Sequence, residues 1–306
     1  MGTIMDYRPL GQTDLHVSPI GLGCVTFGRE IAAVDAFAVM DRAVERGINL
    51  FDTAEAYTAG TSEEIVGQWL SDRGNRDQIV LATKVAGAQN REHILASAED
   101  SLRRLQTDRI DLFMVHNWDD ETSIEETVAA LNTLVQQGKT RCVGCSNYDA
   151  DQLAQALDQA AKLGAARMEA TEPNYNLVVR DIEEALLPLC ANRQIGTITY
   201  SPLGAGFLTG KYRRGEEVPT GTRFDVIPGH QDIYFKDEFF DIVENLRVKA
   251  EEIGRSMVDL ALAWAIGQPG VTSVLIGARS TDQIDQAFTA ASVGLPEDLR
   301  AALSAL

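Results

Sequence analysis

Short, continuously apolar runs alternate with longer segments in which apolar residues recur every three or four positions, and the alternation repeats along almost the whole chain. The short runs, at residues 19–23, 49–52, 78–84, 110–116, 140–146, 167–172, 196–200 and 272–277, read as strands. The periodic segments read as helices at 34–46, 91–105, 123–137, 151–163, 181–192, 237–252, 257–266, 281–291 and 296–306. Another helix, capped by Thr61 or Ser62, runs through Trp69, with Glu63 and Glu64 in its first turn. Ser-x-x-Glu at 123–126 has the form of a capping box, and Pro188 lies inside the 181–192 segment. Residues 7–18 read as two short strands around the turn Gly11-Gln12-Thr13-Asp14.

Counted from Pro19, about eight strands are each followed by a helix, without a linker-like tract or a shift in composition. The strands are apolar throughout, as when both faces of a parallel sheet are covered. The expected fold is α/β: one domain over residues 1–306, a (β/α)8 TIM barrel with an N-terminal β-hairpin. A doubly wound open sheet is the competitor. The segment 201–236, after the seventh strand, is too long for a plain connection and is expected to serve function.

Charge and composition narrow the partners. A net charge of −18 disfavours nucleic acid and anionic membrane surfaces, which need basic patches. No apolar run approaches the roughly 20 residues that span a bilayer. Met1 to Asp6 show neither basic start nor apolar run, so a secretory leader is not expected. Cys24, Cys142, Cys145 and Cys190 are few and scattered, which fits cytoplasmic thiols. Cys142 and Cys145 have the spacing of a redox or zinc pair, but in a strand residues three apart face opposite sides. No metal site is expected, and a monomer is the default.

The strand ends carry the chemistry. Asp52, Lys84, His116, Ser146, Glu172, Tyr200 and Gly277 each close an apolar run, and a barrel gathers such ends on one face. Singly they have dull readings: Asp52 as a helix cap, Tyr57 in the following loop as a packing ring, Lys84 as a solvated end. Together they suit proton transfer to a carbonyl oxygen. A free tyrosine has a pKa near 10, a poor donor at neutral pH. A nearby ammonium, Lys84, lowers it, with Asp52 as counter-ion, and His116 can hydrogen-bond the oxygen that Tyr57 protonates. No reductant is among these side chains, so a hydride carrier must be bound.

At this point the chain resembles the aldo-keto reductases over nearly its whole length. Gly47-Ile-Asn-Leu-Phe-Asp52-Thr-Ala-Glu-Ala-Tyr57, Ala82-Thr-Lys84, Asp111-Leu-Phe-Met-Val-His116 and Val143-Gly-Cys-Ser146-Asn147-Tyr148 are similar to that family's segments, in order and spacing. So are the loop from Tyr200 to Lys211 and the segment from Ile276 to Gln283. The resemblance implies NADPH-dependent reduction of an aldehyde or ketone. Tyr57 is the implied acid, Asp52 and Lys84 its tuning pair, His116 the carbonyl orienter. Ser146, Asn147 and Glu172 are implied to hold the nicotinamide carboxamide, and Gly23, Cys24 and Asp52 are implied to bind the cofactor too. Tyr200 would stack on the ring, Ser201, Leu203, Gly206 and Lys211 line the pyrophosphate, and Gly277, Ala278, Arg279 and Gln283 surround the adenosine end. A guanidinium at 279 suits the 2′-phosphate of NADP.

The family usually has Gln where this chain has Glu172, and often Asn where it has Ala287; Ile276 replaces a common Pro. A carboxylate accepts but does not donate, so Glu172 could bind the carboxamide nitrogen but not its oxygen. Substrate contacts are expected from near Val25, Ala86 and Trp118 and from the tract 224–234; Trp118 could equally pack on the rim. Two alternatives stay open: a cofactor-binding regulatory subunit like the potassium-channel β subunits, and a phosphate-binding lyase or isomerase barrel.

Overall fold

The structure, a computed structural model, describes residues 5–306. Residues 1–4, part of the segment read as lacking a leader, lie outside the described residues. The expected hairpin forms: β1 (Arg8–Pro9) pairs antiparallel with β2 (His16–Val17). Eight further strands follow: β3 (Ile20–Gly23), β4 (Leu50–Asp52), β5 (Val80–Val85), β6 (Ile110–Val115), β7 (Thr140–Ser146), β8 (Met168–Glu172), β9 (Gly196–Thr199) and β10 (Ser273–Gly277). Each pairs in parallel with the next, and β10 pairs with β3, so the sheet closes. That last pairing excludes the open sheet and makes the fold a (β/α)8 barrel.

Around it stand α1 (Ala33–Glu45), α2 (Thr61–Arg73), α3 (Arg91–Arg104), α4 (Ile124–Gln136), α5 (Ala150–Leu163) and α6 (Leu186–Arg193). Then come α7 (Arg223–Val226), α8 (Gln231–Tyr234), α9 (Asp237–Ile253), α10 (Met257–Ile266), α11 (Thr281–Val293) and α12 (Glu297–Ser304). Among the described residues, no helix is long and apolar enough to cross a membrane.

Strand parity sorts the core. Leu50, Val80, Ala82, Leu112, Met114, Cys142, Ala170, Ile198 and Leu275 form one buried cluster with Leu10, Leu15 and Val17 of the hairpin region. This is the barrel interior, stoppered below by the hairpin. The intervening strand residues, such as Phe51, Leu81, Phe113 and Cys145, pack against the helices. Cys142 and Cys145 therefore face opposite sides, and all four cysteines are free and buried. Gly21 is needed on the interior side: a Cβ there would stand 2.6 Å from the Leu275 side chain and 3.0 Å from that of Leu50. Two residues beyond Leu50, Ala82, Met114 and Ala170 on the same face come Asp52, Lys84, His116 and Glu172.

Local chemistry departs from the expected elements in four places. Neither Thr61 nor Ser62 caps α2: Gly60, at φ 91°, precedes it, and the buried Ser62 hydroxyl donates to the Cys24 carbonyl at 2.8 Å. Ser123 caps α4 by accepting from the Glu126 amide, but the Glu126 carboxylate accepts from the Arg91 amide instead of closing the box. The complete box is at α5, between Asp149 and Gln152. Helix 181–192 is broken into a turn, Asp181–Glu183, and α6, because Pro188 has no N–H and fits only the first turn of a helix.

The long connection after β9 is built rather than loose. It holds a short turn at Gly204–Thr209, then α7 and α8, and its rings pack together. Phe207 stands 5.0 Å from Phe240 and 6.0 Å from Tyr234, and Tyr212 stands 4.6 Å from Phe224, between ring centroids. Phe224 and Tyr234 are buried in this cluster and anchor the loop, while Val226, Ile227 and His230 of the same tract line the cleft.

Candidate active site

A cleft of about 580 Å³ opens at the C-terminal ends of the barrel strands. Asp52, Tyr57, His116, Ser146, Asn147, Glu172 and Tyr200 line it, and so do Gly23, Ser201, Leu203, Gly206, Lys211, Gly277, Arg279 and Gln283. Val25 and Ala287 are in its wall too. Lys84 lies just beneath, fully buried. Four residues read as lining are outside the wall. Cys24 is buried and turns its thiol toward the Leu22 carbonyl. Ala278 is buried and accepts from the Thr26 hydroxyl through its carbonyl. Ala86 donates its amide to Glu55. Trp118 packs edge-on against Tyr148 at 5.0 Å, which makes it a rim residue.

The centre of the floor is a charged knot. Lys84 Nζ donates to Asp52 Oδ1 at 2.5 Å and to the Thr53 carbonyl at 3.2 Å. It lies 3.2 Å from Glu172 Oε1 and 3.5 Å from the Tyr57 hydroxyl. Burial alone would strip Lys84 of its proton, but the neighbouring carboxyl groups, Asp52 before Glu172, outweigh it and hold its pKa well above the ordinary lysine value. For Tyr57 the balance differs from the expected one. Burial pushes the phenol up, and the Lys84 charge only partly opposes it, so the hydroxyl stays protonated well past neutral pH. Burial, then the nearby Asp52 charge, lifts Glu172 well above the usual carboxylate range. His116 meets Tyr57 edge-to-face, with ring centroids 5.8 Å apart. Burial, with Lys84 adding to it, lowers the imidazole to about 4, so it is neutral at physiological pH.

The far side of the floor is braced. Asn147, left-handed at φ 58°, donates to the His116 carbonyl at 3.0 Å and to Ser146 Oγ at 3.1 Å, and accepts from the Tyr200 hydroxyl at 2.7 Å. Ser146 donates to the Glu172 carbonyl at 2.9 Å. Of the seven non-glycine residues with positive φ among the described residues, Thr58, Ala59, Asn147, Ser201 and Ala205 belong to the loops around this cleft. Such strain, about 1–3 kcal/mol a residue, gathers where function fixes the backbone.

The outer part of the cleft is cationic in an otherwise acidic protein. Lys211 and Arg279 are joined by Arg29 and Arg223, which no sequence motif marks. Arg223 reaches from α7 across to Glu30, 3.3 Å away, and strapped this way the long loop crosses the groove. Only folding could reveal that pair, because 193 positions of sequence separate its members and neither carries a motif. Gly206 is required here by its backbone, since at φ 94° a residue with a Cβ is strained.

Of the nine buried side-chain polar atoms without a hydrogen-bond partner among the described residues, His116 Nδ1 and Glu172 Oε2 belong to residues that line this cleft. Unpartnered polar atoms over a groove with a cationic end fit a dinucleotide with a polar head and an anionic middle. The sequence model of the Aldo/keto reductase family matches residues 19–306. The chain belongs to the aldo/keto reductase family. Its role is that of an oxidoreductase. The "Aldo-keto reductase YhdN" of Bacillus subtilis is 35% identical over 295 residues, covering 92% of this chain and 87% of that protein. The "Protein tas" of Escherichia coli is 33% identical over 345 residues, covering 99% and 97%. A "Probable voltage-gated potassium channel subunit beta" of Arabidopsis thaliana is 34% identical over 303 residues, covering 94% and 92%. This chain is thus similar both to a protein named as an aldo-keto reductase and to one named as a channel subunit.

Proposed function

We propose that the protein is an NADPH-dependent carbonyl reductase, a single-domain enzyme that converts an aldehyde or ketone to its alcohol with Tyr57 as the general acid. The observation that carries this reading is the Tyr57 hydroxyl, protonated at neutral pH and 3.5 Å from a buried ammonium, beside a neutral imidazole. As negative charge develops on a carbonyl oxygen, the phenol delivers its proton there, and Lys84 stabilises the phenolate left behind. Asp52 keeps Lys84 charged at the moment that charge is needed. His116, neutral, donates a hydrogen bond without competing as an acid, and so orients the substrate oxygen.

When bound, the nicotinamide supplies the hydride. Glu172 Oε2 is the free atom for its carboxamide, because Asn147 and Ser146 already spend their hydrogen bonds on His116, Tyr200 and the strand ends. Tyr200 forms the stacking wall. Lys211 and Gly206 serve the pyrophosphate, and Arg279, with Gln283 fixing its backbone amide at 2.7 Å, serves the 2′-phosphate. Free, buried thiols accord with a reducing, cytoplasmic setting.

A second reading is a slow, cofactor-binding regulatory subunit; the naming of the Arabidopsis relative favours it. NADPH oxidation against a panel of aldehydes, ketones, sugars and pyridoxal, with NADH as control, separates the two. Turnover is expected for the wild type. Tyr57→Phe is expected to lose about 10²–10⁴-fold in rate while retaining NADPH binding. Turnover that survives Tyr57→Phe removes Tyr57 from the acid role, and NADPH binding without turnover on any substrate favours the subunit.

A further inference from the structure

An ammonium has three hydrogens to give. Lys84 has four acceptors around it: Asp52 Oδ1 at 2.5 Å, the Thr53 carbonyl at 3.2 Å, Glu172 Oε1 at 3.2 Å and the Tyr57 hydroxyl at 3.5 Å. Asp52 and Thr53 occupy two hydrogens. The third is given to the Tyr57 hydroxyl, and Glu172, at ion-pair distance without a hydrogen bond, competes for it; the set is buried, with Lys84 0% exposed and Asp52 and Glu172 each 2% exposed.

We propose that Glu172 governs Tyr57 through Lys84: carrying a proton, it leaves the third ammonium hydrogen to the Tyr57 hydroxyl, and without that proton it takes that hydrogen for itself. This rests on Tyr57 being the acid, and it makes Glu172 a positioning residue for the proton-transfer step.

Charge counting favours the protonated state. Two carboxylates against one ammonium leave a net negative charge in a sealed site, and one held proton removes it. The proton belongs on Glu172 because Asp52, nearer to Lys84, is the better-compensated of the two. The neighbours on every side agree. Asp52 on β4 disfavours a second anion, and Lys84 on β5 is already engaged by Asp52. The Cys145 thiol on β7 and the Tyr57 and Tyr200 phenols are all neutral, and none supplies a compensating cation. A neutral carboxyl accepts weakly from an ammonium, whereas a carboxylate accepts strongly at the same distance. The ionised form also adds a negative charge close to Tyr57, which makes the phenol a poorer acid. An amide at this position could never ionise, so Glu172→Gln freezes the switch in its proton-bearing state.

The test has two measurements. Infrared spectra of the nucleotide-free protein carrying ¹³C-carboxyl-labelled glutamate should show a protonated-acid carbonyl band at neutral pH. That band should be absent from Glu172→Gln and should disappear as pH rises. In parallel, kcat/KM for carbonyl reduction should fall about tenfold per pH unit above the same midpoint in the wild type. Glu172→Gln should lack that fall until the phenol itself ionises. NADPH affinity, measured by fluorescence at each pH, separates a binding effect from the proton-transfer effect. Absence of the band in the wild type overturns the proposal whether or not the variant folds, and so does an alkaline fall that persists unchanged in Glu172→Gln. A present band together with a fully active Tyr57→Phe would instead strike at the role of Tyr57.

Discussion

Lys84 Nζ and Asp52 Oδ1 stand 2.5 Å apart on adjacent parallel strands, with both side chains buried under the floor of the cleft. The pair is the electrostatic anchor of the site. Lys84→Met would leave Asp52 and Glu172 facing each other without a cation, and an uncompensated buried charge costs about 3–5 kcal/mol. Urea unfolding at neutral pH should show a loss of that size, and Lys84→Met combined with Asp52→Asn should recover much of it. If Lys84→Met alone is as stable as the wild type, the ion pair does not hold the strand ends together.

Arg279 carries the nucleotide preference. It is exposed, its charge adds to burial in lowering the pKa of Lys211, and its backbone amide is fixed by Gln283. Hydrogen bonds to charged groups are worth about 1.5–3 kcal/mol, so Arg279→Ala should weaken NADPH by about tenfold or more and leave NADH nearly unchanged. Fluorescence titration with both nucleotides reads the ratio directly. Equal losses would contradict the 2′-phosphate assignment.

Asp52, Lys84, His116 and Glu172 were legible in the sequence for a reason visible in the barrel. Side chains alternate along a strand, so the polar residue that ends an apolar run falls on the interior face two positions past the last interior apolar residue. The ends of all eight barrel strands converge by closure. What was not legible depended on long-range packing. Trp118 found Tyr148 and left the pocket; Phe224 and Tyr234 were drawn into a ring cluster by Phe207, which lies earlier in the same loop. Arg223 and Arg29 entered the cleft wall because the loop folded back, which no local spacing announces. The upward direction of the Tyr57 pKa is equally hidden in the sequence, since burial depends on the whole site and a lysine's presence does not reveal it.

His116 makes stability depend on pH. Burial, with Lys84, lowers its folded pKa to about 4, while in the unfolded chain it titrates near the ordinary 6.5. Between those values the unfolded chain binds more protons, so this contribution is fully present above 6.5 and is lost as pH falls toward 4. The gap between the folded and unfolded values limits it to about 3 kcal/mol. The urea midpoint of the wild type should therefore fall relative to that of His116→Gln between pH 7 and pH 4.5. A constant difference would mean that the imidazole is not held neutral.

Phe207 decides whether the long loop stays seated over the cleft. Its ring is fully buried and meets Phe224, Tyr234, Phe235 and Phe240 at centroid distances from 5.0 to 6.5 Å. A buried Phe→Ala change costs about 3–5 kcal/mol when its site cannot collapse. Here the cost can be met locally, by releasing α7 and α8 while the barrel stays folded, because the loop's far edge at residues 213–217 is already exposed. Phe207→Ala should therefore leave the main unfolding transition near its wild-type position but speed proteolysis within 201–236. It should also weaken nucleotide binding, since Lys211 and Arg223 ride on that loop. Loss of the whole barrel's stability in the variant, with no selective loop cleavage, would show that the ring cluster belongs to the global folding unit.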